Sequence, residues 1–196
     1  MKSIRIALTV LWIPMLLAGG VLAVALSQSR TPAGEPLPRE FSLIRGKHFV
    51  TGSGLPGIDG FWYFDPGFPD PPEISVMIIH GAGRNAGDYL EAMMAAAKDE
   101  NWFLIAPRFK REAFVFLNGG WEYLFNMGNV VHWFGWERER EQWYFTAVES
   151  LYRRIVADHP RLPESYALFG HSAGGQFTTR MVLFSPEASV DRKSVV

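Results

Sequence analysis

The chain has 196 residues, 48% of them hydrophobic and 20% charged, with a formal net charge of −1. That composition suits one globular domain with a real core and excludes a disordered or fibrous chain. The near-neutral balance gives no footing for nucleic-acid binding, and the absence of cysteine excludes disulfides, thiolate chemistry and cysteine-zinc sites.

Residues 1–29 open with Lys2 and Arg5, then run apolar over residues 6–26, broken only by Thr9, Pro14 and Gly19-Gly20. A positive flank ahead of an apolar run is the layout of an export signal, and Ala23-Val24-Ala25 offers a small-residue cleavage site. The run is also long enough to span a bilayer, so an uncleaved anchor fits as well. In either case Lys2 and Arg5 stay cytoplasmic and the rest is expected across the membrane: periplasmic, extracellular or anchored facing outward. Membrane contact is expected through this segment only. Residues 30–39, with Pro32, Pro36 and Pro38, read as an extended linker.

From residue 40 the texture is β-like. Residues 41–44 and 61–64 predict strands separated by a glycine-rich stretch, and residues 66–72 predict a turn. Ile74–Ile79 is a continuous apolar run, as in a strand buried on both faces of a mostly parallel sheet. It ends in His80-Gly81-Ala82-Gly83-Arg84-Asn85. Residues 86–101 then predict a helix capped by Asn85, with Leu90, Met93, Met94 and Ala97 facing inward. Residues 102–106 predict the next buried strand, stopped by Pro107. A strand–helix–strand order places binding groups at the carboxyl ends of the strands. Gly81-Ala82-Gly83 also echoes a dinucleotide fingerprint, but Gly87 comes one residue too late and no acidic residue ends a following strand.

Residues 108–136 are irregular and rich in glycine and aromatics. A long loop beyond a strand end is expected to form a lid or wall of a site, and its aromatics suggest an apolar or aromatic acyl group. Residues 137–159 predict a helix with Trp143, Val148, Leu151, Tyr152 and Ile155 on its apolar side. Its opening Glu-Arg-Glu-Arg-Glu reads as a solvated face with i,i+3 and i,i+4 contacts. Pro160 and Pro163 end that helix, and residues 166–169 predict a short buried strand.

After that strand comes Gly170-His171-Ser172-Ala173-Gly174-Gly175, followed by Phe177, Met181, Val182 and Phe184 at helical spacing. A strand must pass into a helix in almost no residues, with a serine at the apex, which is the G-x-S-x-G nucleophile elbow. Side chains two before and two after the serine would collide across so tight a turn, hence the glycines. Ser172 Oγ is then pushed out above the sheet as a candidate nucleophile. The helix N-terminus and the N–H of Ala173 can meet an oxyanion there. A second donor is expected from the glycine-rich turn after Ile79, at Gly81 or Ala82; the sequence does not choose between them.

Together, the turns HGAG and GHSAGG resemble those of the α/β-hydrolase fold. Among its members the chain is similar to secreted esterases of the polyhydroxybutyrate-depolymerase and feruloyl-esterase type. The resemblance covers residues 74–186 and is strongest at residues 80–83, 106–108 and 170–177. It implies an α/β architecture over residues 40–190, a mostly parallel sheet flanked by helices. It also implies Ser172 as nucleophile, Ala173 with Gly81 or Ala82 as oxyanion hole, and a small-molecule or polymeric ester as substrate. No metal and no organic cofactor is implied. His80 and His171, like Gly170, Gly174 and Gly175, would shape the turns rather than supply the base.

In that fold the acid and the histidine of the triad follow the serine. Here His48, His80, His132, His159 and His171 all precede Ser172, and only Glu187 and Asp191 are acidic after it. The domain is therefore expected to be incomplete, with later strands missing, and the chain as given to be inactive. Asp-Arg-Lys-Ser-Val-Val can be encoded by a common sequencing-adapter string followed by a stop, so residues 191–196, or most of them, are expected to be non-native, with Asp191 and Arg192 on either side of the junction. Residues 166–169 would then form an exposed apolar sheet edge. Two other functions share the motifs. One is a peptidase of prolyl-oligopeptidase type, which also uses Gly-x-Ser-x-Gly-Gly. The other is a non-catalytic α/β-hydrolase-like binding protein, against which the presence of both glycine turns argues.

Overall fold

A computed structural model describes residues 42–113, 123–131 and 135–195. Residues 1–29, the linker 30–39 and His132 lie outside the described residues. Among these residues six strands form one sheet: β1 (Gly46–Thr51), β2 (Ile58–Asp65), β3 (Ile74–Ile79), β4 (Trp102–Phe109), β5 (Tyr166–Gly170) and β6 (Val190–Val195). Their spatial order is β1-β2-β4-β3-β5-β6. β1, β2 and β4 pair antiparallel, and β4, β3, β5 and β6 run parallel. Among the described residues four α-helices accompany them: α1 (Ala86–Asp99), α2 (Tyr123–Asn126), α3 (Tyr144–Asp158) and α4 (Ala173–Phe184).

Alternation along the strands divides the core into two layers. Phe61, Tyr63, Met77, Ile79, Phe103 and Ile105 face the side covered by α3 and α4, where Phe145, Val148, Leu151, Phe177 and Met181 meet them. Phe64, Val76, Ile78, Leu104 and Ala106 face the side covered by Leu90 and Ala97 of α1. Each buried Val, Leu, Ile, Phe or Met among them contributes about 1.5–3 kcal/mol, so the sheet is held from both faces. This puts the carboxyl ends of β3 and β5 side by side, with Ile79 opposite Gly170 in register. Among the described residues no helix is long and apolar enough to cross a membrane.

Several local expectations are corrected. The first strand is not residues 41–44: Ser42–Ile44 carry no regular structure, and β1 begins at Gly46. There Phe49 packs on Trp62 and His48 on Tyr63 across the β1–β2 ladder, contacts that only pairing reveals. Pro107 does not stop β4. The β3–β4 register ends at Met77–Ile105, so the missing N–H of Pro107 falls beyond that ladder, opposite Phe61 of β2. Asn85 takes the N-cap position of α1 without a side-chain cap hydrogen bond. The helix expected from residue 137 begins at Tyr144, after a 3-10 turn at Arg140–Gln142. Glu137 instead bridges to Val131, and Arg140 pairs with Glu187 at 2.7 Å rather than with a neighbour in its own helix. Of the apolar residues at helical spacing after the elbow, Phe177 and Met181 are buried and Phe184 is exposed.

β5 is not left as a bare edge, because β6 pairs with it irregularly, through Tyr166–Val190 and Leu168–Val195. The segment leading into β6 is held by Glu149, a buried carboxylate on α3 that accepts from the Ser189 N–H (3.0 Å), Ser189 Oγ (2.7 Å) and Tyr166 Oη (3.1 Å). Beside this carboxylate, burial first and the Glu149 charge second push the Tyr166 phenol well above its ordinary range.

Candidate active site

The chain leaves β5 at Gly170 and enters α4 at Ala173, with Ser172 between them at φ 57°, ψ −123°. A residue with a side chain rarely holds that backbone conformation unless its surroundings impose it. The imposing contacts are on both sides of the serine. A Cβ on Gly170 would run into the Gly174 carbonyl, and a Cβ on Gly174 into the carbonyls of Ile79 and His80. Backbone therefore lies where side chains would have to be, and Ser172 is forced outward, exposed. Gly175 is under less constraint, its nearest atom being the Gly170 carbonyl oxygen at 3.3 Å. Ala173, the first residue of α4, has an N–H with no acceptor in its own helix.

The turn after β3 reaches the same point. A Cβ on Gly81 would lie 3.5 Å from Ser172 Cβ, 3.4 Å from the His171 carbonyl oxygen and 3.5 Å from Tyr89 Oη. Those are ordinary van der Waals separations, so the turn after β3 lies directly against the elbow. His80, with no exposed surface, stacks on Phe125 and meets Phe109 edge-on. Its Nε2 accepts from the Phe109 N–H at 3.3 Å, so Nδ1 carries the proton and donates to the Gly81 carbonyl at 2.7 Å. Burial lowers its pKa from the ordinary 6.5 to about 4, so at neutral pH the ring is an uncharged brace. The Gly81 carbonyl also accepts from the Arg84 N–H at 3.2 Å, closing the turn.

His171 is exposed, and its Nδ1 shares a 2.8 Å hydrogen bond with Tyr89 Oη of α1. His48 lies within hydrogen-bond distance of the Arg45 carbonyl, and His159 follows the end of α3 at the amino end of β5. None of these four described histidines hydrogen-bonds Ser172. Two cavities, about 390 and 510 Å³, lie away from the serine; the first is walled by Phe103, His159 and Leu162, the second by Arg45, Phe64 and Lys98. Among the described residues no group of three or more His, Asp or Glu could hold a metal ion.

The segment expected to wall the site does approach α4. Asn126 Nδ2 donates to Gln176 Oε1 at 2.8 Å, one helical turn beyond Ser172, and Arg180 donates to the Asn126 carbonyl at 3.1 Å. Phe125, fully buried, fills the space between Phe109, His80 and Phe177. Sequence reasoning missed Tyr89, Arg84 and the Phe109 backbone. Nothing in local spacing signals them, since each acts on a segment remote in the chain. Chemically, the place offers an exposed hydroxyl, a helix N-terminus and glycine-rich backbone within van der Waals reach of one another.

No family model matches the chain, and no curated protein matches it. Solved structures do. A poly(aspartic acid) hydrolase from Sphingomonas sp. KT-1 is 30% identical, with a TM-score of 0.68 over 76% of this chain and 55% of that one. A poly(3-hydroxybutyrate) depolymerase from Bordetella parapertussis is 26% identical, with a TM-score of 0.62 over 76% of this chain and 50% of that one. An acetyl xylan esterase from Aspergillus awamori shares the fold, at 14% identity and a TM-score of 0.54 over 73% of this chain and 48% of that one. The chain spans about half the length of each. Its mixed, mostly parallel sheet between helices is the α/β-hydrolase architecture, and the structures it resembles are of hydrolase and esterase type.

Proposed function

We propose that this α/β-hydrolase-fold chain carries the nucleophile and oxyanion hole of a serine hydrolase that acts on carboxylic esters through an acyl-enzyme at Ser172. The observation that supports the reading is that a Cβ built on Gly81 would lie 3.5 Å from Ser172 Cβ, so two glycine turns from distant parts of the chain meet beside the serine. In the proposed cycle Ser172 Oγ attacks the ester carbonyl, and the new oxyanion is met by the N–H of Ala173 and by a donor from the turn after β3. Of the two candidates in that turn, Ala82 is the better. The Gly81 carbonyl is committed to His80 and Arg84. A trans peptide sets N–H opposite to C=O, so the Ala82 N–H is turned away from them, outward. Expulsion of the alcohol leaves the acyl-serine, which water then cleaves.

The general base and the group that orients it are proposed to come from outside residues 1–196. Of the described histidines, His80 and His171 come near the serine; both ring nitrogens of His80 are engaged, Nδ1 of His171 is held by Tyr89, and neither ring hydrogen-bonds Ser172. The 1–196 chain is accordingly expected to hydrolyse p-nitrophenyl butyrate no faster than its Ser172→Ala variant. Substrates in the proposed class are small-molecule or polymeric esters, met after export directed by residues 1–29. A second reading is favoured by the 30% identical structure, whose named substrate, poly(aspartic acid), is linked by amides: the same acyl-enzyme formed from a polyamide or peptide. A fluorophosphonate probe applied to the product of the complete reading frame tests both. Labelling that disappears in Ser172→Ala supports the hydrolase, and ester against amide turnover separates the two substrates. No labelling of the wild type returns the chain to a binding role.

A further inference from the structure

The turn that runs from His80 to Arg84 is gripped at both ends by one residue of β4. Phe109 donates its N–H to His80 Nε2 at 3.3 Å, and its carbonyl accepts from Arg84 Nε at 3.0 Å and Arg84 Nη2 at 2.8 Å. Between those two holds, the Gly81 carbonyl accepts hydrogen bonds from His80 Nδ1 at 2.7 Å and from the Arg84 N–H at 3.2 Å. Arg84 itself sits at φ 55°, a left-handed conformation that an arginine holds only against some strain. Its guanidinium is backed by Asp59 of β2, 3.8 Å from Nη2, and that carboxylate is held in turn by Arg108 Nε at 2.8 Å. The turn is therefore tied to the ends of two strands on the side away from Ser172.

We propose that Arg84 is a positioning residue: its forked grip on the Phe109 carbonyl, backed by Asp59, sets the direction in which the Ala82 N–H faces Ser172. The catalytic consequence rests on the serine-hydrolase reading; the clamp itself does not. The geometry asks for two donors from one rigid plane onto a single carbonyl oxygen, which a lysine ammonium on a flexible stem does not reproduce. A donor displaced by about 1 Å can lower a chemical step by about 10²-fold, without altering how a probe docks.

Two measurements on Arg84→Met, Arg84→Lys and Asp59→Asn test this. In the 1–196 chain, amide exchange at residue 84, whose N–H is protected only while the turn is closed, is expected to accelerate at least about tenfold in both Arg84 variants. In the complete reading-frame product, the limiting rate of fluorophosphonate reaction is expected to fall about 10²-fold in both, with the probe's initial binding constant within about twofold. Asp59→Asn, which leaves Arg84 in place, is expected to fall about tenfold and serves as the second variant should Arg84→Met not fold. Unchanged exchange at residue 84 overturns the clamp. Rescue by Arg84→Lys, or a loss confined to the binding constant, overturns the positioning role. If the wild type does not react with the probe, the hydrolase reading fails, while the exchange result still decides the clamp.

Discussion

The turn after β5 and the turn after β3 meet at Ser172, yet different forces hold them. The elbow is held by exclusion: Gly170 and Gly174 leave no room for anything except backbone, and the strain at Ser172 is imposed by neighbours a few residues away and by the carbonyls that end β3. The turn after β3 is held by attraction over long sequence distances: His80 and Arg84 to Phe109, Arg84 to Asp59, and Tyr89 across to His171. A steric constraint fails abruptly when a methyl group is added and is indifferent to pH. A hydrogen-bonded one with a buried imidazole should respond to both pH and side-chain chemistry.

The largest expected effect is at the elbow. Gly174→Ala places a Cβ against the carbonyls of Ile79 and His80, which are backbone and cannot rotate aside. A destabilisation of about 3 kcal/mol or more is expected in chemical denaturation; a variant within about 1 kcal/mol of wild type would show that the elbow is not sterically locked. Next comes the pH response of the other turn. His80 is neutral when folded because burial lowers its pKa from 6.5 to about 4, so between those values the unfolded chain binds the extra proton. Its contribution to stability is present above pH 6.5 and is lost as pH falls toward about 4, amounting to at most about 3 kcal/mol. Denaturation midpoints of wild type and His80→Gln should differ in slope across that window and nowhere above it; parallel curves would remove the titrating brace.

A smaller effect of opposite sign belongs to the serine. Ser172→Gly relieves the conformation at φ 57° and is expected to raise stability by about 1 kcal/mol, the strain released less the entropy glycine adds to the unfolded chain. A loss of stability would mean that the serine is not strained. Smallest of all is Gly175→Ala. Its Cβ meets the Gly170 carbonyl oxygen at 3.3 Å, a tight contact offset by alanine's better helix propensity. A net change within about 0.5 kcal/mol is expected, which would confine the steric lock to the two glycines flanking the serine by two.

What could be read in advance follows the same division. Buried strands and amphipathic helices announce themselves through apolar runs and periodicity, as at Ile74–Ile79 and along α3, and the strand–elbow–helix at Ser172 is entirely local. β1 escaped notice because the Gly46–Thr51 segment is only half-buried and owes its order to β2. Pro107 misled because its effect depends on which neighbour a strand has left behind. The 3-10 turn and delayed start of α3 accompany a bridge from Glu137 back to Val131 and an ion pair from Arg140 to Glu187, which is far along the chain.

The sequence by itself determined that a serine stands on a glycine-flanked turn between a strand and a helix, and that a second glycine turn ends an earlier strand. Both are properties of a dozen consecutive residues or fewer, where excluded volume and backbone freedom act directly. Only the tertiary structure decided that β3 and β5 lie adjacent, so that Gly81 comes against Ser172, and that Phe109, Arg84 and Asp59 brace the turn from behind. Hydrogen bonds and ion pairs between remote residues leave no period or spacing in the chain. Their partners are chosen by the order in which strands assemble.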